Sequence, residues 1–122
     1  MKIVDVRKIW DQAPHNAFTD LVNFEGRFFC VFREGEGHVS PDGALRVIAS
    51  SDGVDWASAA LITSDQSDLR DAKITVTPEG QLMLCGAEAL HDRSVHTHQS
   101  LAWFSNEGAH WLSLIHISEP TR

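Results

Sequence analysis

Two stretches of this chain repeat, and the spacing between them limits what it can fold into. Ser50–Trp56 (SSDGVDW) and Ser105–Trp111 (SNEGAHW) both read S-x-[DE]-G-x-x-W, 55 residues apart. Upstream, Val22–Phe32 (VNFEGRFFCVF) aligns with Val76–Gly86 (VTPEGQLMLCG) at an offset of 54. Each of these has a valine, a Glu-Gly turn and then an apolar run. Two landmarks at nearly one offset imply a supersecondary unit used twice. Such a unit buries its apolar face only by stacking on its neighbour. The period fits a blade of four strands.

The pattern inside each unit reads as strands. Residues 17–24 and 27–33 flank the Glu25-Gly26 turn as a hairpin, Ala44–Ser50 is a third strand and Asp55–Thr63 a fourth. The second unit repeats this with Ala72–Thr77, Gln81–Ala87 and His98–Ser105, and its fourth strand is expected to begin near Trp111. No stretch sustains a helical period, so the class is all-β. The repeated heptapeptide suits a turn between third and fourth strands. Serine and acid side chains hydrogen-bond nearby amides, Gly53 and Gly108 accept positive φ, and Trp56 and Trp111 place large rings between sheets.

A net charge of −7 argues against a nucleic-acid partner, whose binders present basic faces. No apolar run approaches the ~20 residues of a membrane span, and MKIVDVRKIWDQ has no secretory h-region, so cytoplasmic placement is the default expectation. Cys30 and Cys85 sit inside apolar runs and are expected to be buried free thiols. No metal-ligand spacing is complete, HDRSVHTH with its His96-x-His98 pair included, so neither metal nor cofactor is expected and the histidines read as loop residues.

The heptapeptides resemble the Asp-box, or bacterial neuraminidase repeat, although both lack one residue between acid and glycine and the second carries Glu107 for Asp. The resemblance implies a β-propeller of four-stranded antiparallel blades, six in a complete sialidase, with the motif on the face away from the active site. About two blades are expected here: residues 15–64 and 68–111. The last eleven residues, LSLIHISEPTR (112–122), resemble the conceptual translation of a sequencing-library adapter. Residues 1–111 are therefore read as an N-terminal propeller fragment and the tail, His116 included, as no part of it.

Residues 17–56 look like the opening blade of the sialidase superfamily, in which an F-R pair ends the second strand. That pair is Phe32-Arg33 here, and the resemblance makes Arg33 the first of three arginines that clamp a substrate carboxylate. A guanidinium suits that task through its bidentate fork. The chain departs from F-R-[IL]-P by reading FREGEGH, which leaves open a surface pairing of Arg33 with Glu34 or Glu36. Asp42 is the loop aspartate placed for the family's acid/base role, and Pro41-Asp42-Gly43 is equally an ordinary turn. Asp20 interrupts an apolar strand and needs a partner, for which Arg33 across the hairpin is the candidate, as site or as scaffold. Asp68–Ile74 (DLRDAKI) resembles the R-D-P element at the rim of glycosidase propellers, with Ala72 in place of proline. Arg70 and Asp71 are thus candidate substrate contacts, or else an adjacent ion pair. His38 is a candidate sugar contact.

The expected function is that of a sialidase-like exo-glycosidase fragment with a carbohydrate partner. Sialidases use a tyrosine nucleophile, and this chain has no tyrosine, so it is expected to be inactive alone. Two alternatives stand beside it: a non-catalytic Asp-box propeller that binds glycan or protein, and another propeller glycosidase built on two or three carboxylates, which Arg70-Asp71 would suit. Two blades of a ring leave strand edges uncovered. A purified chain of residues 1–111 is therefore expected to self-associate in size-exclusion chromatography; a monomer with a sharp unfolding transition overturns that expectation.

Overall fold

The computed structural model describes residues 2–91 and 98–114 and contains eight strands. These are β1 (His15–Phe24), β2 (Arg27–Gly35), β3 (Ala44–Ser50), β4 (Ala57–Ile62), β5 (Ser67–Val76), β6 (Leu82–Leu90), β7 (His98–Ser105) and β8 (Leu112–Leu114). They form two four-stranded antiparallel sheets, ordered β1-β2-β3-β4 and β5-β6-β7-β8, so every connection is a hairpin within a sheet except the one joining them. The expected two-unit organisation is thus the observed one. Several boundaries differ. β1 begins two residues earlier, at His15, β2 runs on to Gly35, and β4 is confined to Ala57–Ile62. β5 starts at Ser67 rather than Ala72, because the polar residues ahead of Ala72 find partners and need no loop. β6 runs on to Leu90. Leu112–Leu114, the first residues of the tail set aside above, pair with Ala102–Phe104 of β7, because the preceding turn returns the chain along that edge. His96, one half of the H-x-H pair, lies outside the described residues.

The pleat sorts β2 and β3 onto two faces. Phe29 and Val31, with Leu45, Val47 and Ala49, face the second sheet and pack against Leu69, Ala72, Ile74, Leu82, Leu84 and Trp103. Cys30, Phe32 and Ile48 face the other way, where Ile9 and Trp10 of the N-terminal segment and Trp56 cover them. Trp10 is fixed by an Nε1–H bond to Glu34 Oε2 (2.7 Å), and Arg46 grips the same carboxylate at 3.0 and 3.1 Å while its guanidinium lies over the Trp10 ring. Both thiols are free; burial pushes Cys30 up to about 11 and Cys85 upward as well.

A second symmetry, invisible in the residue types, runs through the first strands. β1 bulges between Ala17 and Asp20, and β5 between Arg70 and Lys73. Each bulge holds a non-glycine residue in the left-handed region, Phe18 (φ 62°) and Asp71 (φ 59°). These two positions lie 53 residues apart, at the period of the repeat.

The heptapeptides close β3–β4 and β7–β8 with one bond pattern. Ser50 Oγ accepts from the amides of Asp52 (3.2 Å) and Gly53 (2.7 Å), Asp52 Oδ1 accepts from Val54 (2.9 Å) and Asp55 (3.0 Å), and Trp56 Nε1 donates to Gly53 O (3.1 Å). Ser105, Glu107 and Trp111 repeat every one of these bonds, with Glu107 Oε1 accepting from Ala109 (3.1 Å) and His110 (2.6 Å). The longer glutamate thus spans the turn as aspartate does.

The glycines of the β5–β6 and β7–β8 turns differ in what surrounds them. Gly80 and Gly108 both have positive φ, but a Cβ meets nothing at Gly80 and strikes the Phe29 ring at Gly108. Gly80→Ala should cost about 1–2 kcal/mol for the left-handed backbone, and Gly108→Ala about 1–3 kcal/mol more for overpacking a buried ring, measured by urea denaturation. The amide and imidazole of His110, then Ser105 and Ala109, hold the Glu107 carboxyl near 2 against its ordinary 4.5. A carboxyl lowered on folding contributes in full above its unfolded value and loses that contribution as pH falls through its folded one. Trp111 fluorescence should therefore report loosening of this turn between about pH 4.5 and 2, and Glu107→Gln should remove the pH dependence.

Candidate functional site

The heptapeptides and the β1–β2 and β5–β6 turns gather at one end of the sheets. At the opposite end lie the start of β1, the loop 36–43 between β2 and β3, the start of β5 and the end of β6. The sequence-derived candidates cluster at this second end.

Arg33 continues the inward row after Phe29 and Val31 and is 2% exposed. Its Nε and Nη2 donate to Asp68 Oδ1 (3.0 and 2.9 Å), its Nη1 to Gly37 O (2.9 Å), and Nη2 also reaches Ser40 O (3.0 Å). The open pairing with Glu34 or Glu36 is not formed, since Glu34 belongs to Arg46 and Trp10. Nor does Arg33 pair with Asp20. The bulge at Phe18 sets Asp20 opposite Val31, and Asp20 Oδ2 accepts the Ile74 amide of β5 at 2.9 Å. Asp20 thus ties the two sheets together through the backbone.

Asp68 is the centre of the cluster. Its second oxygen accepts from Arg70 Nε (3.2 Å) and Nη2 (2.6 Å), so one carboxylate, 4% exposed, bridges a buried guanidinium and a partly open one. Arg70 pairs with Asp68 and not with its neighbour Asp71, which the left-handed backbone turns outward into an exposed position. Leu69 N–H donates to Gly43 O across the sheets (3.0 Å), and a Cβ at Gly43 would collide with Asp68 and Arg33, so only glycine lets the loop approach this closely.

Asp42 organises the loop: its carboxylate accepts from Ser40 Oγ (2.6 Å) and the Glu36 amide (3.2 and 3.3 Å). The Ser40 bond, then that of Glu36, pulls its pKa below the ordinary carboxylate value. A carboxyl held in its ionised form is a weak proton donor near neutral pH. His38 projects from the same loop and lies 5.5 Å from the His15 ring and 5.4 Å from Phe18.

Between the loop and the second sheet is a cleft of about 340 Å³, lined by Val39, Ser40, Pro41, Asp68, Arg70, Ala89, Leu90 and His91. His91 Nε2 lies 2.7 Å from Pro41 O. A carbonyl only accepts, so this nitrogen carries the hydrogen. Asp68 and His91 were not among the sequence-derived site residues. For Asp68 the available signal was a second acid three residues before Asp71; for His91 it was its place at the head of HDRSVHTH, whose histidines read as loop residues.

Because Arg33 is fully enclosed, removing its partner strands a buried charge. Asp68→Asn should destabilise the chain by about 3–5 kcal/mol in urea denaturation, whereas Asp42→Asn, exposed on the loop, should cost less than 1.5 kcal/mol.

No family model matches the sequence, and no curated protein matches it. Among solved structures, the chain is similar to a GH43 β-1,3-galactosidase determined with galactodeoxynojirimycin, at 14% identity and a TM-score of 0.65, over 83% of this chain and 33% of that one. It is also similar to a protein of unknown function from Dyadobacter fermentans, at 16% identity and a TM-score of 0.70, over 88% of this chain and 38% of that one. The chain therefore spans little more than a third of the length of these structures. At such identities the likeness concerns the fold: two consecutive four-stranded blades of an all-β propeller.

Proposed function

We propose that this chain supplies part of the sugar site of a propeller glycosidase, with Asp71 and Arg70 facing the substrate and the Arg33–Asp68 pair as their rigid support. The observation that carries this reading is Asp71 itself. It is an exposed carboxylate held in the left-handed region on the first strand of its blade, next to an arginine fixed by a buried carboxylate. Strained polar residues of this kind concentrate at functional sites. The cleft beside them falls within the ~300–1,000 Å³ of ligand pockets. The fold likeness to a galactosidase supports the same class.

Within that class, a carboxylate-based glycosidase is favoured over a sialidase. The donors of Arg33 are engaged by Asp68, Gly37 and Ser40, which leaves it poorly placed to clamp a substrate carboxylate. The Asp-box character of the heptapeptides bears on folding, since they lie at the other end of the sheets. On this reading the two blades belong to a longer propeller whose remaining catalytic groups lie on other blades.

The test is ligand binding, followed by saturation-transfer NMR, with galactodeoxynojirimycin and N-acetylneuraminic acid as probes. The cationic iminosugar should bind, and Asp71→Asn should weaken it by about 10–100-fold, the worth of one charge-assisted hydrogen bond. Preferential binding of N-acetylneuraminic acid would instead restore the sialidase reading.

A further inference from the structure

We infer that Phe18, with His38 and His15 behind it, forms an aromatic platform that takes the apolar face of a pyranose ring, a second sugar contact besides Asp71; this rests on the carbohydrate reading above. Two observations carry it. Phe18 sits in the left-handed region (φ 62°), a conformation bulky residues avoid, and its side chain is 50% exposed. An apolar ring gains nothing in folding from being strained and wet at once. Second, the ring is not isolated: His38 lies 5.4 Å from it, tilted at 50°, and His15 backs His38 edge-on at 5.5 Å.

The chemistry of this patch selects its ligand. A purely apolar partner would leave the exposed His38 nitrogens unanswered, and a charged one would find no counter-ion in the platform. A pyranose presents a face of polarised C–H bonds, which suits the negative face of an aromatic ring, and a rim of hydroxyls that can answer imidazole nitrogens. The placement agrees. Phe18 occupies the bulge of β1 that Asp71 occupies in β5, β1 and β5 are joined by the Asp20–Ile74 bond, and the loop that carries His38 also walls the cleft with Val39, Ser40 and Pro41. One sugar ring, or two adjacent rings of a chain, would thus meet a stacking surface from the first blade and a carboxylate from the second.

The decisive variant is Phe18→Gly, which removes the ring and relieves the backbone together. It should hold or raise Tm while weakening binding of methyl β-D-galactopyranoside to the full 122-residue chain. The expected loss is about tenfold, the upper range for one aromatic contact. Phe18→Trp, which keeps a stacking face, should bind within about twofold of the parent on the same scale. Saturation of aromatic protein resonances should transfer chiefly to the sugar C–H protons in the parent and not in Phe18→Gly. A Phe18→Gly protein that binds like the parent, while Asp71→Asn is weakened, overturns the platform and leaves the glycosidase reading standing. A parent chain that binds neither this galactoside nor the iminosugar overturns both. A Phe18→Gly protein with lowered Tm also counts against the platform, since it would mean that the ring is there for packing.

Discussion

The Asp68 carboxylate is where the two sheets and the candidate site meet. One oxygen is held by Arg33 from the first sheet and the other by Arg70 from its own strand. A buried ion pair of this kind adds little net stability over an apolar pair of equal volume, because desolvation consumes most of the attraction. What it adds is direction. Arg33 uses its remaining donors on Gly37 and Ser40, so the loop 36–43 is anchored to the charge that anchors β5. A cleft formed between that loop and β5 therefore has walls that cannot move independently. Gly43 is part of the same device, because any side chain there would wedge the loop away from the carboxylate.

The paired bulges show how one piece of backbone serves two ends. A bulge turns a single side chain out of the alternation of its strand and strengthens the local twist. At Phe18 the residue turned out is aromatic, and at Asp71 it is a carboxylate. Neither type relieves the left-handed backbone as glycine would. That the strain is kept at the same point of both blades, with different chemistry on each, separates the role of the bulge from the role of the side chain. The bulge aims, and the residue on it decides what is aimed.

Much of the architecture was legible because it is written in local rules. The spacing of SSDGVDW and SNEGAHW gave the period, and the apolar runs RFFCVF and ALRVIAS marked the second and third strands of the first sheet. The site was less legible, because its logic is non-local. Asp20 reads as an inward acid in need of a partner, which it is, but the partner is a backbone amide 54 residues away and not the arginine across the hairpin. Arg33 reads as a strand-end cation free to meet substrate, and its burial by Asp68 depends on how the second sheet docks. The start of β5 at Ser67 was missed for the same reason: Asp68 and Arg70 look like loop residues until Arg33 is placed beside them. No single-sequence signal marks a bulge occupied by phenylalanine or aspartate in place of glycine.

The two ends of the sheets are held by opposite strategies. At the heptapeptide end, each carboxylate is satisfied by amides within five residues of itself, so each turn is closed by its own sequence and repeats from blade to blade whatever the neighbouring blade contains. At the cleft end the bonds of Arg33 and Gly43 cross from one sheet to the other. A locally closed end can be copied unchanged, which is why it leaves a motif in the sequence. An end closed by inter-sheet bonds has to differ at each junction, because each junction presents a different pair of blades. That is also the condition for building an asymmetric binding site on a repeating scaffold. The absence of a repeat between Arg33 and Asp68 thus follows from the inter-sheet bonds at their end, and the strict repeat of Ser50 and Ser105 from the local closure of theirs.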